Sequence, residues 1–196
     1  MELYYLDLIG TLGFAIYGSY IAIKNDFDLF GIFILSFITA LGGGTIRDML
    51  LNTTPIYFTD QNYIFIVLLG LFISIIFRNN FVKLDKPLRF LDSIGLVTFT
   101  IIGLQLANNA NFNWFGIISI GVISATFGGV IRDIIINKKP EVFQRDFYAT
   151  VSIIIGGLFI LFKSHNQDPI FILGLLVLGL LLRLSAIYFN LKLWKP

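Results

Sequence analysis

A block of residues occurs twice in this chain, 85 positions apart, and each copy lies inside apolar sequence. Gly43-Gly44-Thr45-Ile46-Arg47-Asp48 is followed by Pro55 and Phe58, and Gly128-Gly129-Val130-Ile131-Arg132-Asp133 by Pro140 and Phe143. The same offset pairs Asp7 with Asp92, Gly10 with Gly95, Phe14 with Phe99, Gly18 with Gly103, Gly31 with Gly116 and Tyr63 with Tyr148. One ungapped offset over most of the chain marks an internal duplication. Arginine and aspartate are costly in hydrocarbon, so their return at one place in both copies points to a pathway through a membrane.

The membrane reading rests on composition. The chain has 196 residues, is 57% hydrophobic and has a mean hydropathy of +0.86. A soluble domain of this length could not hide so much apolar surface, so an all-α integral membrane protein is expected. The net charge of +2 is too small to suggest nucleic acid. Cys is absent, which removes thiol chemistry and disulfides. The N-terminus carries Glu2 and Asp7 rather than a basic leader, so residues 4–23 read as a transmembrane helix, not a cleaved signal.

Seven spans follow: 4–23, 29–51, 61–78, 90–107, 113–136, 147–163 and 169–191. The first six form two sets of three. An odd number of crossings per copy forces the second copy to enter from the opposite side. The expectation is one membrane domain, 1–196, built as an inverted three-plus-three repeat. Residues 1–84 form the first copy and 85–166 the second. Residues 167–196 form an unpaired seventh helix and tail. Lys24, Arg78, Lys83, Lys86, Arg89, Lys138, Lys139, Arg145, Lys192 and Lys195 all fall on one side, and only Lys163 on the other. The positive-inside rule places the N-terminus outside and the C-terminus in the cytoplasm.

The glycine segments Gly42-Gly43-Gly44 and Gly128-Gly129 admit two readings. Each glycine weakens a helix by about 1 kcal/mol relative to alanine, which favours a kinked or partly unwound helix with carbonyls free beside a cavity. Alternatively, small residues simply allow close helix packing. Arg47 and Asp48 are neighbours, about 100° apart on a helix, and are expected to pair poorly with each other. Antiparallel hairpins could instead bring Arg47 to Asp7 and Arg132 to Asp92. The plainer alternative is a helix-end arginine that snorkels to the interface. Arg183, in the last span, has no counterpart and is expected to snorkel or to sit at a subunit contact. No catalytic triad, His cluster, phosphate loop or cofactor fingerprint is visible, so no enzyme, cofactor or resident metal is expected.

The doubled Gly-Gly-(Thr/Val)-Ile-Arg-Asp…Pro…Phe motif resembles that of the prokaryotic trimeric intracellular cation channels (TRIC), also catalogued as predicted glycine transporters. The resemblance covers residues 1 to about 190. It implies a homotrimer in the plasma membrane of a prokaryote, with an hourglass pore inside each protomer. It implies conduction of potassium, with sodium also passing, and pore kinks at Gly42, Gly43, Gly44, Gly128 and Gly129. The family's basic positions match Arg47 and Arg132. An unpaired arginine in a narrow pore would repel potassium. These two are therefore expected to be neutralised by Asp7, Asp48, Asp92 or Asp133, to act as gates, or both. Glycine-segment carbonyls, Thr45, Thr39 and Ser124 would provide weak, wet sites for transient ions. The competing expectations are a glycine-like carrier using the same midplane residues, and a membrane scaffold whose basic loops contact anionic lipid.

Overall fold

In a computed structural model the described residues are 2–78, 85–144, 147–189 and 191. Lys83, Arg145, Lys192 and Lys195, which entered the orientation argument, lie outside them. Long apolar runs can satisfy their backbone in lipid only as helices. The described residues follow that rule: α1 is Glu2–Lys24, α2 Leu29–Leu50, α3 Asn62–Ile76, α4 Asp85–Asn109, α5 Trp114–Ile135, α6 Ala149–Leu161 and α7 Pro169–Phe189. A helical turn, Glu141–Gln144, and two 3₁₀ turns, Ile56–Phe58 and Lys163–His165, complete the order. α1, α2, α4, α5 and α7 contain stretches long and apolar enough to cross a membrane. α3 and α6, at 15 and 13 residues, are shorter apolar helices, about 22 and 20 Å at 1.5 Å per residue.

The boundaries are set by the same chemistry in both copies. Asp28 caps α2 by accepting from Gly31 N at 2.7 Å, and Asn113 caps α5 by accepting from Gly116 N at 2.8 Å. Asn52 and Asn137, just past the ends of α2 and α5, both take φ 55°. This left-handed conformation commonly terminates a helix and suits asparagine among non-glycine residues. Asp26 and Asn111, at the ends of α1 and α4, repeat the device at 58° and 59°.

α1, α2, α4 and α5 form the centre. α3 packs on α1 and α2, α6 on α4 and α5, and α7 against α4 and α6. Residues 85 apart meet each other at the middle. Phe14 of α1 stacks on Phe99 of α4, with ring centroids 5.5 Å apart and planes 6° from parallel. Gly95 makes the room for Phe14, and Gly10 for Thr98 and Phe99.

The glycine segments depart from one expectation. α2 and α5 run as continuous helices through Gly42–Gly44 and Gly128–Gly129, with no unwound turn and no glycine at positive φ. The glycines serve close approach instead. A Cβ on Gly43 would collide with the Ser124 carbonyl, and one on Gly128 with the Thr39 carbonyl. α2 and α5 therefore cross backbone to backbone. That packing compensates the low helix propensity that suggested unwinding.

Candidate functional site

Two polar centres lie buried near opposite ends of the central helices. The first draws on the starts of α1 and α3 and the end of α2. Tyr63 Oη donates to Asp7 Oδ2 at 3.0 Å, and Thr11 to Asp7 Oδ1 at 3.5 Å. Arg47, 3% exposed, places Nε and Nη2 each 2.7 Å from Asp48 Oδ1. The second centre draws on the matching ends of α4, α6 and α5. Tyr148 Oη donates to Asp92 Oδ1 at 3.2 Å. Arg132, 1% exposed, places Nε and Nη2 each 2.8 Å from Asp133 Oδ1.

The neighbouring pairs correct the expectation that Arg47 and Asp48 pair poorly, and they bring in two of the four expected neutralising acids, Asp48 and Asp133. The arginine side chain is long enough to fold along the helix to the next residue's carboxylate. With no water to take either ion, leaving one unpaired would cost several kcal/mol. Snorkelling is likewise absent, since both guanidiniums are buried. The expected pairing of each Arg with the distant Asp of its own copy holds in one copy only. Arg132 Nη1 lies 3.9 Å from Asp92 Oδ1, while among the described residues no arginine reaches ion-pair distance of Asp7.

The centres differ in what surrounds them. The first borders a cavity of about 10 Å³, room for roughly one water, lined by Asp7, Gly44, Thr45, Arg47, Asp48 and Tyr63, with Ile56 and Tyr57 also in its wall. Thr45 turns inward on its own helix, donating to Leu41 O at 2.8 Å. The second opens on a cavity of about 390 Å³, where Asp133, Tyr17 and Glu141 meet Lys24, Arg89, Lys138 and Lys139. Glu141 N donates to Asp133 Oδ2 at 2.8 Å, and Tyr17 Oη to Glu141 Oε1 at 3.1 Å. The Arg132 guanidinium lies over the Tyr17 ring, 4.8 Å from its centroid. Along α1, Phe14 stands between Asp7 at one cavity and Tyr17 at the other.

Several of these residues were missed or left without a role in the sequence. Tyr63 and Tyr148 carried a signal, because they matched at the common offset. Glu141 carried none, since its counterpart is Ile56. Arg183 does not snorkel, one of the two expectations for it. It is 2% exposed, and its Nη2 lies 3.9 Å from Asp92 Oδ2. Thr39 and Ser124, expected to meet ions, are buried at the α2–α5 crossing, where Thr39 donates to Leu35 O at 2.6 Å.

Comparisons with known proteins place the chain in a family. The family described as Glycine transporter matches residues 4–79 and again residues 89–164. The inner membrane protein YadS of Escherichia coli strain K12, of the group named UPF0126, is 36% identical over 98% of this chain and 95% of its own length. A solved structure from work on conductance through TRIC cation channels superposes with a TM-score of 0.88 at 34% identity, covering 97% of this chain and 95% of that one. The orthologue of the TRIC trimeric intracellular cation channel from Rhodobacter sphaeroides gives 0.83 at 27% identity, covering 97% and 99%. These solved relatives are ion channels, not enzymes. The chain is an integral membrane protein with the TRIC channel fold, and it belongs to the family described as Glycine transporter.

Proposed function

We propose that this protein is a passive, potassium-permeable channel for monovalent cations, with a pore in each protomer of a homotrimer. The observation that carries the reading is the pair of buried Arg–Asp centres, one at each end of the same four central helices, each bordering a cavity. In this reading the chain crosses the membrane seven times. Residues 1–84 and 85–166 form inverted copies, and 167–196 the seventh helix and tail. The reciprocal contacts of Phe14 with Phe99, and of Gly43 and Gly128 with the partner helix, support a two-fold axis in the membrane plane. The basic cavity faces the cytoplasm of a prokaryotic cell and the N-terminus lies outside.

The arginines do not contradict cation conduction. Asp48 and Asp133 neutralise Arg47 and Arg132 at 2.7 and 2.8 Å, so a cation meets paired charge rather than a bare guanidinium. Glycine carbonyls are engaged within continuous helices here. Ions would therefore meet Asp7, Thr45 and the tyrosines, and α2 and α5 would bend at their glycine segments to open the route past Phe14 and Phe99. The names of the solved relatives, cation channels at 27% and 34% identity, support the ion class. Membrane lipids surround the trimer.

The test is purified protein in a planar bilayer under a potassium chloride gradient. Unitary currents reversing near the potassium potential are expected. A silent bilayer, with saturable glycine uptake into vesicles of the same preparation, would instead establish a carrier. The family's description favours that second reading, and inverted repeats suit alternating access equally well.

A further inference from the structure

Arg183 comes from α7, the helix with no counterpart in either copy. It is 2% exposed, and a buried guanidinium on a helix whose most apolar 18 residues have a mean hydropathy of 2.6 needs a reason. α7 wedges between α4 and α6, with Gly179 seated against Val97 and Ile155. Arg183 lies about one turn further along the same face. Its Nη1 donates to the Phe147 carbonyl at 3.1 Å, its Nη2 lies 3.9 Å from Asp92 Oδ2, and its guanidinium covers the Tyr148 ring at 4.7 Å. Phe147 has φ 59°, a conformation that costs a bulky residue free energy and persists only where its surroundings hold it.

Among its described residues the first copy has nothing of this kind. Asp7 is held by Tyr63 and Thr11, borders a water-sized cavity and has no arginine at ion-pair distance among the described residues. We propose that Arg183 is a positioning residue. It fixes Asp92 and Tyr148 and balances the Asp92 charge, so that Asp92 is a static carboxylate while its counterpart Asp7 is the one that meets passing cations. The proposal rests on the channel reading. It makes the pathway functionally asymmetric although its two ends share a sequence motif, and it gives the unpaired seventh helix a part in conduction.

The test is a charge-pair cycle with R183Q, D92N and R183Q/D92N, together with R183K, in the purified full-length protein. Thermal unfolding and unitary conductance are read on each. D92N leaves two guanidiniums facing each other and is expected to cut unitary conductance by about half or more. The double variant is expected to restore conductance towards wild type and to melt well above the sum of the single losses. R183K keeps the charge but not the forked contact, so it should conduct like wild type while melting lower. Additive melting losses overturn the contact. Wild-type conductance in R183Q or D92N reduces Arg183 to a structural residue. If R183Q yields no folded protein, the double variant must recover it, and failure to do so overturns the proposal. A silent wild type defeats the channel reading and the charge-balancing role with it, whereas the melting cycle reads the contact independently.

Discussion

At the first centre Asp7 relies on two hydroxyls and Arg47 on its neighbour Asp48. At the second, equivalent residues are crowded by three polar side chains that have no polar match at the first among the described residues. Tyr17 lies under Arg132, Glu141 bonds the Asp133 region, and Arg183 reaches Asp92. The counterparts of Tyr17 and Glu141 are Ile102 and Ile56. A duplicated motif thus fixes the ion pair itself, because that depends on adjacent residues of one helix. The surroundings depend on which helices arrive from elsewhere, and α7 arrives at only one copy. The first centre borders the small cavity and the second the large basic one.

The sharpest way to break this comparison is to remove the arginines. Arg132→Ala and Arg47→Ala should each lose about 3–5 kcal/mol of stability, since each strands a buried carboxylate. The loss should be greater at Arg132, which also contacts Asp92 and Tyr17. Chemical denaturation in detergent measures both, and equal losses would argue that the crowded second centre adds nothing.

The crossing should behave symmetrically where the centres do not. Gly43→Ala and Gly128→Ala each drive a methyl into a carbonyl of the facing helix and should cost about 1–3 kcal/mol. Gly42→Ala is the control. Its nearest atom would be 3.6 Å away, so it should be neutral or gain up to about 1 kcal/mol of helix propensity. Melting temperatures of the three variants check this, and a penalty at Gly42 like that at Gly43 would refute a specific contact.

Smaller effects separate the two acids. Tyr63→Phe removes a hydroxyl donor from Asp7 and should cost about 1–2 kcal/mol. Tyr148→Phe should cost less, because Asp92 keeps its arginines and the phenyl ring still carries the Arg183 contact. Reversal of that order, measured by denaturant titration, would mean that Asp92 depends on Tyr148 more than on charge. The least effect is expected at the helix starts. Asp28→Ala and Asn113→Ala each remove one cap and should cost about 1 kcal/mol, alike in the two copies.

Much of this architecture could be read from the chain. Apolar run length placed the helices, because lipid leaves the backbone no alternative. The common offset identifies Asp7, Asp92, Arg47 and Arg132 from the sequence itself. The bonding of those residues could not be read. Spacing on a helix gives the direction of a Cβ, but not where a long guanidinium ends. The pairing of Arg47 with Asp48 is therefore a property of the folded side chains and not of their spacing. Gly42–Gly44 looked like a break because propensity is local, whereas the Ser124 carbonyl facing Gly43 is 81 residues away.

Sequence alone determined the membrane class, the duplication and the matched Asp, Arg and Tyr residues of the two centres, since hydropathy and repetition are properties of the linear chain. Only the tertiary structure decided that the glycines join two continuous helices, that each arginine turns to its own neighbour, and that Arg183 enters the second centre. Each of those depends on the approach of distant segments in a medium without water, where a buried charge must take the partners that packing brings to it.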